Sequence, residues 1–196
     1  MLAAKRRTNP ERSTTTRAAL IAAAREAFVA HGYANTSTPD LVKAAGVTRG
    51  ALYHHFVEKQ ALFHAVIESE SAAVAAEIEA APSPDSPIAA LIAGGEAYLD
   101  AMAMPGRTRL LLIDAPAVLG RAEVDAIDDR NGVRTLREGL VAALAAGAIR
   151  PVPVEATAQL LGAAYDRAAL ALARGEDRTD WLAALRAIIE GLAPPR

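Results

Sequence analysis

The sequence predicts an all-α chain: an N-terminal three-helix module followed by a larger helical body, about nine helices together. Three observations predict it. The composition is rich in alanine and poor in aromatic residues, which make up 4% of the chain, and this favours helices over strands. Apolar residues recur three and four apart in one segment after another, the spacing of a single helix face. Between Thr36 and Phe56, TSTPDLVKAAGVTRGALYHHF, two short stretches of that pattern flank one glycine, the layout of a helix-turn-helix.

The first helix spans Ser13 to Ala30, with Leu20, Ala24, Ala27 and Phe28 on its stripe, and Gly32 ends it. Tyr33 is placed in the core, against the fourth helix. The second helix starts in one of two frames. Ser37 with Asp40 makes a capping box; Thr38 with Pro39 makes a cap followed by proline at the first helical position. In either frame, the hydroxyls of Thr36, Ser37 and Thr38 and free N–H groups gather at a helix N-terminus, a natural phosphate site. Leu41 and Ala45 face inward, and Gly46 stops the helix in a left-handed conformation that glycine adopts without steric cost. Val47 plugs the turn, and Thr48 caps the third helix. That helix, Arg49 to His55, turns Leu52 inward, with Phe56 beyond it. Arg49, Gly50, Tyr53 and His54 remain on the other side, a short hydrogen-bonding set suited to base edges and phosphates. Arg49 can pair with a guanine or bind phosphate, and Gly50 lets a backbone approach closely. His55 is ambiguous between the two faces.

The fourth helix runs from Glu58 to about Ala80 with Leu62, Val66 and Ile67 toward the core. By motif the chain divides into residues 1–57 and 58–196, and the loop 81–87, APSPDSP, is the best linker. The fifth helix covers Ile88 to Met104, where Gly94-Gly95 signals a kink or a close helix contact. After Pro105-Gly106, a sixth helix covers Arg107 to Asp114 and Pro116 interrupts it. The seventh covers Arg121 to Ala146, ended by Gly147; Pro151 and Pro153 make an extended link. The eighth covers Glu155 to Arg174 and the ninth Thr179 to Leu192. Their apolar stripes, Leu161, Tyr165, Ala168 and Leu172 on one and Trp181, Leu185, Ile188 and Leu192 on the other, fit two helices that pair across a two-fold. Leu161, Ala168, Leu172, Trp181, Leu185, Ile188 and Leu192 are therefore the expected dimer interface.

The run from Leu20 to Leu62 resembles the DNA-binding domain of the tetracycline-repressor family of bacterial regulators. The resemblance rests on LIAAAREAF, GYANTS, LVKAAGVTRGALYHHF and EKQAL, and LLLIDAPAVLG resembles the ligand domain of a subgroup of that family. It implies phosphate contacts by Thr36, Tyr53, His54 and Lys59. Loss of Lys59 would then weaken all DNA sites alike and lower the salt slope by roughly one unit. Val57 and Glu58 depart from the family's usual proline and serine, although Glu58 still suits a positive helix end. The resemblance also implies an effector cavity among the fourth to eighth helices. Tyr98, Asp114, Asn131 and Tyr165 are the candidate polar lining and Leu99, Met102 and Leu112 the apolar lining. The expected partners are a palindromic double-stranded DNA operator, a second copy of the chain and a small-molecule effector.

Charge supports the division. Net charge is only −2, but residues through Gln60 carry nine Lys/Arg against four Asp/Glu, a balance of +5 that leaves −7 for the rest. A basic end on an acidic body suits a chain that meets phosphate at one end. The polar tail Met1 to Ser13, with Lys5, Arg6, Arg7 and Arg12, is either a solubilising segment or a basic arm along DNA. There is no cysteine, no signal-peptide pattern and no apolar run that spans a bilayer, which suits the cytoplasm, on the nucleoid when bound to DNA. No phosphate loop, nucleophile elbow or HExxH appears, and His31, His54, His55 and His64 lack the partners of a metal site. The expectation is a ligand-released repressor with no catalytic residues, metal or cofactor. The alternatives are a regulator without an effector, and a small-molecule binder or enzyme with a vestigial DNA domain.

Overall fold

The structure, a computed structural model, describes residues 9–82 and 84–195, with side chains from Ser13 onward. The side chains of Lys5, Arg6, Arg7 and Arg12 lie outside the described residues. All regular structure among the described residues is helical. Two compact units form, Met1–Glu68 and Ser69–Arg196.

The N-terminal unit holds α1 (Asn9–Asn35), α2 (Thr38–Ala45), α3 (Arg49–His55) and the start of α4 (Lys59–Ala80). Within α1, Gly32 departs from helical geometry at φ 76° and ψ 163°, the stop its sequence position predicts. Leu20, Phe28, Leu41, Leu52, Leu62 and Phe63 are buried. Phe63 meets Phe28 edge-on at 5.1 Å and Tyr33 at 5.0 Å. Those contacts tie the first turns of α4 to α1, which is why the units divide inside α4 rather than at residue 57.

Ser37 is the N-cap of α2: its hydroxyl accepts from the Asp40 N–H at 3.3 Å and contacts the Asp40 carboxylate. This decides the frame, with Pro39 in the first turn. Gly46, at φ 64°, ends α2 by donating to Lys43 O at 3.2 Å, and Val47 N–H reaches Val42 O. Thr48 then caps α3 by accepting from Ala51 N–H at 3.1 Å.

The C-terminal unit holds the rest of α4, then α5 (Pro87–Met102), α6 (Arg107–Arg109), a π-helical turn (Leu110–Asp114), α7 (Ala115–Leu119), α8 (Arg121–Asp129), α9 (Gly132–Ala145), α10 (Val154–Leu172) and α11 (Arg178–Glu190). Here α5 packs against α9, α10 and α11, and α10 against α9 and α11. Two sequence expectations change. Pro116 does not interrupt a helix after Asp114. The chain widens into the π-helical turn, with Ala115 N–H bonded to Leu110 O, which takes the proline ring away from the carbonyl four residues back. The break comes at Gly120, φ 84°. The single helix expected from Arg121 to Ala146 is two. Asn131 leaves helical geometry at φ −125° and ψ −97°, and its Nδ2 caps α8 by donating to Ile127 O at 2.7 Å. The Asn-Gly pair at 131–132 was the available turn signal.

Arg107, which sequence reasoning did not single out, is 2% exposed. Its Nε donates to Glu70 at 3.1 Å, and its Nη1 to Glu77 at 2.9 Å and to Ala101 O at 2.7 Å. One guanidinium thus joins the C-terminal half of α4 to the last turn of α5.

Candidate functional site

In the N-terminal unit, Arg49, Gly50, Tyr53 and His54 are all exposed along α3, and the inward Leu52 is buried. The Arg49 guanidinium lies 5.5 Å from the Tyr53 ring centroid. No carboxylate pairs with it among the described residues, so its donors are free for an outside partner. Stacking on Tyr53 lowers the entropy that a long side chain loses on binding. A Cβ built on Gly50 would meet only Thr48 Oγ1, at 3.9 Å. Nothing among the described residues requires glycine there, so a bare backbone suits something approaching from outside. Ser37 is exposed and Thr38 half-buried at the start of α2, and Thr48 is exposed at the start of α3. His55 is half-buried.

Thr36 and Lys59 have inward tasks. Thr36 is 2% exposed, and its hydroxyl donates to Gly32 O at 2.8 Å, so its side chain is not offered to phosphate. Lys59 Nζ donates to Tyr33 O at 2.8 Å and Thr36 O at 3.0 Å and lies 4.2 Å from the Tyr33 ring centroid. The carbonyls freed where α1 gives way to α2 need donors, and the lysine supplies them. Lys59→Met should therefore lower stability by about 1.5–3 kcal/mol, the range for hydrogen bonds made by a charged group. Thermal unfolding checks this; an unchanged melting temperature with a reduced salt slope on DNA would restore the phosphate role.

The C-terminal unit contains a cavity of about 340 Å³. Ile78, Leu91, Val133 and Leu136 form much of its apolar wall, and Tyr98, Asp128, Tyr165 and Asp166 form a polar end. A Cβ on Gly95 would lie 1.8 Å from the Tyr165 hydroxyl, so glycine lets the tyrosine lie on the α5 backbone. Of the two uses expected for Gly94-Gly95, Gly95 makes the close contact. Tyr98 donates to Asp166 Oδ1 at 2.6 Å, and the Tyr98 and Tyr165 rings meet at 6.0 Å. Burial pushes both phenols up, Tyr165 to about 12 with Glu96 adding to it.

Of the seven expected lining residues, Tyr98 and Tyr165 line this cavity. Leu99 and Met102 line a second hollow of about 430 Å³ in the same unit. Leu112 lines neither of these cavities, because the π-helical turn rotates the α6–α7 segment. Asp114 Oδ2 is buried beside Arg109 Nε at 3.3 Å, in an ion pair too misaligned to be a hydrogen bond. Asn131 is spent on the α8 cap. Sequence reasoning chose neither Asp128 nor Asp166.

Asp128 is raised to about 6, first by burial and then by the Asp166, Asp129 and Asp125 carboxylates, with Arg121 pulling the other way. Its folded value lies above the ordinary 3.8, so the folded state holds this proton more tightly. Its contribution to stability is complete below pH 3.8 and is lost as pH rises through about 6. Asp128→Asn should therefore raise the melting temperature at pH 7.5 relative to the parent and lose that advantage toward pH 4. An equal difference at both pH values would show that the carboxylate is not strained by burial.

The expected dimer residues also divide. Leu161, Ala168 and Leu185 are buried within their own chain, Leu172, Trp181 and Leu192 are half-buried, and Ile188 is 51% exposed. Leu160, 73% exposed, joins Ile188 as large outward apolar residues of α10 and α11. The most apolar stripe of each helix serves the subunit's own core, so periodicity finds that face first.

A family model for the tetracyclin repressor-like C-terminal domain matches residues 88–193, and a model for bacterial regulatory proteins of the tetR family matches residues 20–66. A tetR-family transcriptional regulator from Pectobacterium atrosepticum is similar along the whole length. It is 33% identical, with 97% of this chain and 100% of that one covered, at a TM-score of 0.74. The transcriptional regulator TtgR of Pseudomonas putida is 47% identical over 63 residues, 32% of this chain and 30% of that protein. The transcriptional repressor AcnR of Corynebacterium glutamicum is 35% identical over 65 residues, 33% of this chain and 35% of that protein. The chain thus spans about a third of the length of these curated relatives.

Proposed function

Because the chain belongs to the tetR family of bacterial regulatory proteins, we propose that it is a transcriptional regulator that binds a palindromic DNA operator as a homodimer and releases it when a small molecule fills the cavity of its C-terminal unit. One observation carries the DNA reading. Helix α3 is capped at Thr48, anchored by Leu52 and presents an unpaired Arg49 beside a glycine that suits an outside partner. Arg49 and its neighbours supply base and phosphate contacts in a major groove, while Ser37 and the α2 N-terminus bind phosphate.

Two copies are needed because one short recognition helix makes few contacts, and a dimer reads half-sites about 34–36 Å apart. The outward Leu160 and Ile188 of α10 and α11 support pairing through those helices. Helix α4 couples the two tasks. It carries Lys59, which braces the α1–α2 turn, and further along Ile78 and Glu79, which line the cavity. A ligand that fits the cavity best when α4 is displaced favours the conformation that fails to match two successive grooves.

Selection of bound DNA from a random pool at defined salt tests this. A two-fold symmetric consensus is expected. Recovery of no preferred sequence would refute the function; a preferred but unsymmetric site would refute the dimer.

A further inference from the structure

On the reading of the C-terminal unit as an effector domain, we propose that its cavity takes an organic cation: a protonated amine or quaternary ammonium carried on an apolar body. The charges lining the cavity are all of one sign. Glu79, Asp128, Glu138 and Asp166 line it, and among the described residues no Lys, Arg or His does. The four are not equivalent. Glu79 and Glu138 are both bound by Arg134, whose Nη1 is 3.0 Å from Glu138 and whose Nη2 reaches Glu79. At that end the protein supplies a counter-charge of its own.

The other end differs. Asp166 on α10 accepts one hydrogen bond, from the neutral Tyr98 hydroxyl on α5. The Asp128 carboxylate on α8 has no hydrogen bond or ion pair among the described residues. A Cβ on Gly132 would sit 2.8 Å from its Oδ1, so this carboxylate occupies space that glycine at the start of α9 leaves open. Arg121, the cation that acts on both aspartates, is an exposed side chain paired with Asp125 at 3.0 Å. Burial raises both aspartates, as it does where carboxylates sit in a poorly solvated place with no cation in hydrogen-bonding contact. A ligand cation supplies that counter-charge.

The neighbouring surfaces suit the same ligand. The Tyr98 and Tyr165 rings flank the acidic end, and aromatic faces attract ammonium groups where carboxylates alone would leave part of the cation bare. Away from that end the wall is aliphatic, with Ile78, Leu91, Val133 and Leu136, and accepts an apolar body. An anionic ligand would meet two uncompensated carboxylates and no positive side chain.

Three probes of one shape separate the classes: phenylbutylamine, phenylbutanol and phenylbutyrate, titrated into the full-length protein by calorimetry at pH 7.5. The amine should bind on the order of ten- to a hundredfold more tightly than the alcohol, the range for hydrogen bonds to a charged group, and the butyrate more weakly than either. Asp128→Asn and Asp166→Asn should bring the amine down toward the alcohol, with melting temperatures reporting whether each variant folds. The comparison of probes on the parent protein stands without them. Equal or tighter binding of the alcohol or the butyrate would overturn the cation assignment and leave the cavity a ligand site. Binding of none of the three would overturn the assignment and count against the effector reading as well.

Discussion

Arg49→Ala is expected to weaken operator binding strongly. The guanidinium is exposed, stacked on Tyr53 and unpaired, so the substitution leaves no buried group stranded and the fold should be unaffected. A bidentate arginine–guanine contact is worth about 1–3 kcal/mol, and a dimer makes it twice, so the loss compounds to about 2–6 kcal/mol across the operator. Measured against the selected consensus, that is roughly thirtyfold to twenty-thousandfold weaker binding at fixed salt. The position of the loss identifies the partner. If Arg49 reads guanine, discrimination disappears at one base pair in each half-site. If it holds phosphate, all sequences weaken together and the salt slope falls by about one for each copy. Unchanged binding would remove α3 from the interface.

Arg107→Met should be the most damaging single substitution away from that face. Arg107 is 2% exposed, and Glu70, on α4, is 8% exposed. Methionine fills much of the volume but removes the Arg107 bonds to the Glu70 carboxylate and to Ala101 O. Breaking a buried ion pair from one side costs about 3–5 kcal/mol, a large part of a domain's stability. Urea unfolding gives the value. The double variant Arg107→Met, Glu70→Leu should recover much of it, because an apolar pair of similar volume replaces an ion pair with little loss. A double variant as unstable as the single one would mean that the carbonyl contact, and not the bond to the carboxylate, dominates. The result bears on regulation, since this arginine fastens the same helix that ends at the cavity wall.

The helix-turn-helix was legible in the sequence because every signal in it is local. Gly46 stops α2 through its own φ, and Thr48 caps α3 through an atom three residues away. Leu41 and Leu52 need only a period of three or four to be placed inward. The charge division and the outward set Arg49, Gly50, Tyr53 and His54 follow from the same short-range rules. The resemblance implies phosphate contacts for Thr36 and Lys59, but both face inward: Thr36 donates to Gly32 O, and Lys59 reaches Tyr33 O and Thr36 O from 26 and 23 positions away, a contact that local rules do not reveal.

The body was less legible. The helices were found, but the widened turn at Leu110–Asp114 and the break at Asn131 depend on how a proline and an asparagine are accommodated by packing. In the dimer set, Leu161 and Leu185 are buried within their own chain, because hydropathy does not distinguish a subunit's own core from a surface kept for a second copy.

What the sequence determined by itself was the class of fold, the helix-turn-helix and the end of the chain that carries positive charge, since caps, helical period and composition act over a few residues. Only the tertiary structure decided which polar groups share a cavity and which are already satisfied. Asp128 and Asp166 come from separate helices, 38 positions apart in the numbering of the chain. Arg134 pairs with Glu79 across 55 positions, while no side chain does the same for Asp128 among the described residues. Coulomb energy depends on separation in space and on how much water remains between charges, and folding sets both.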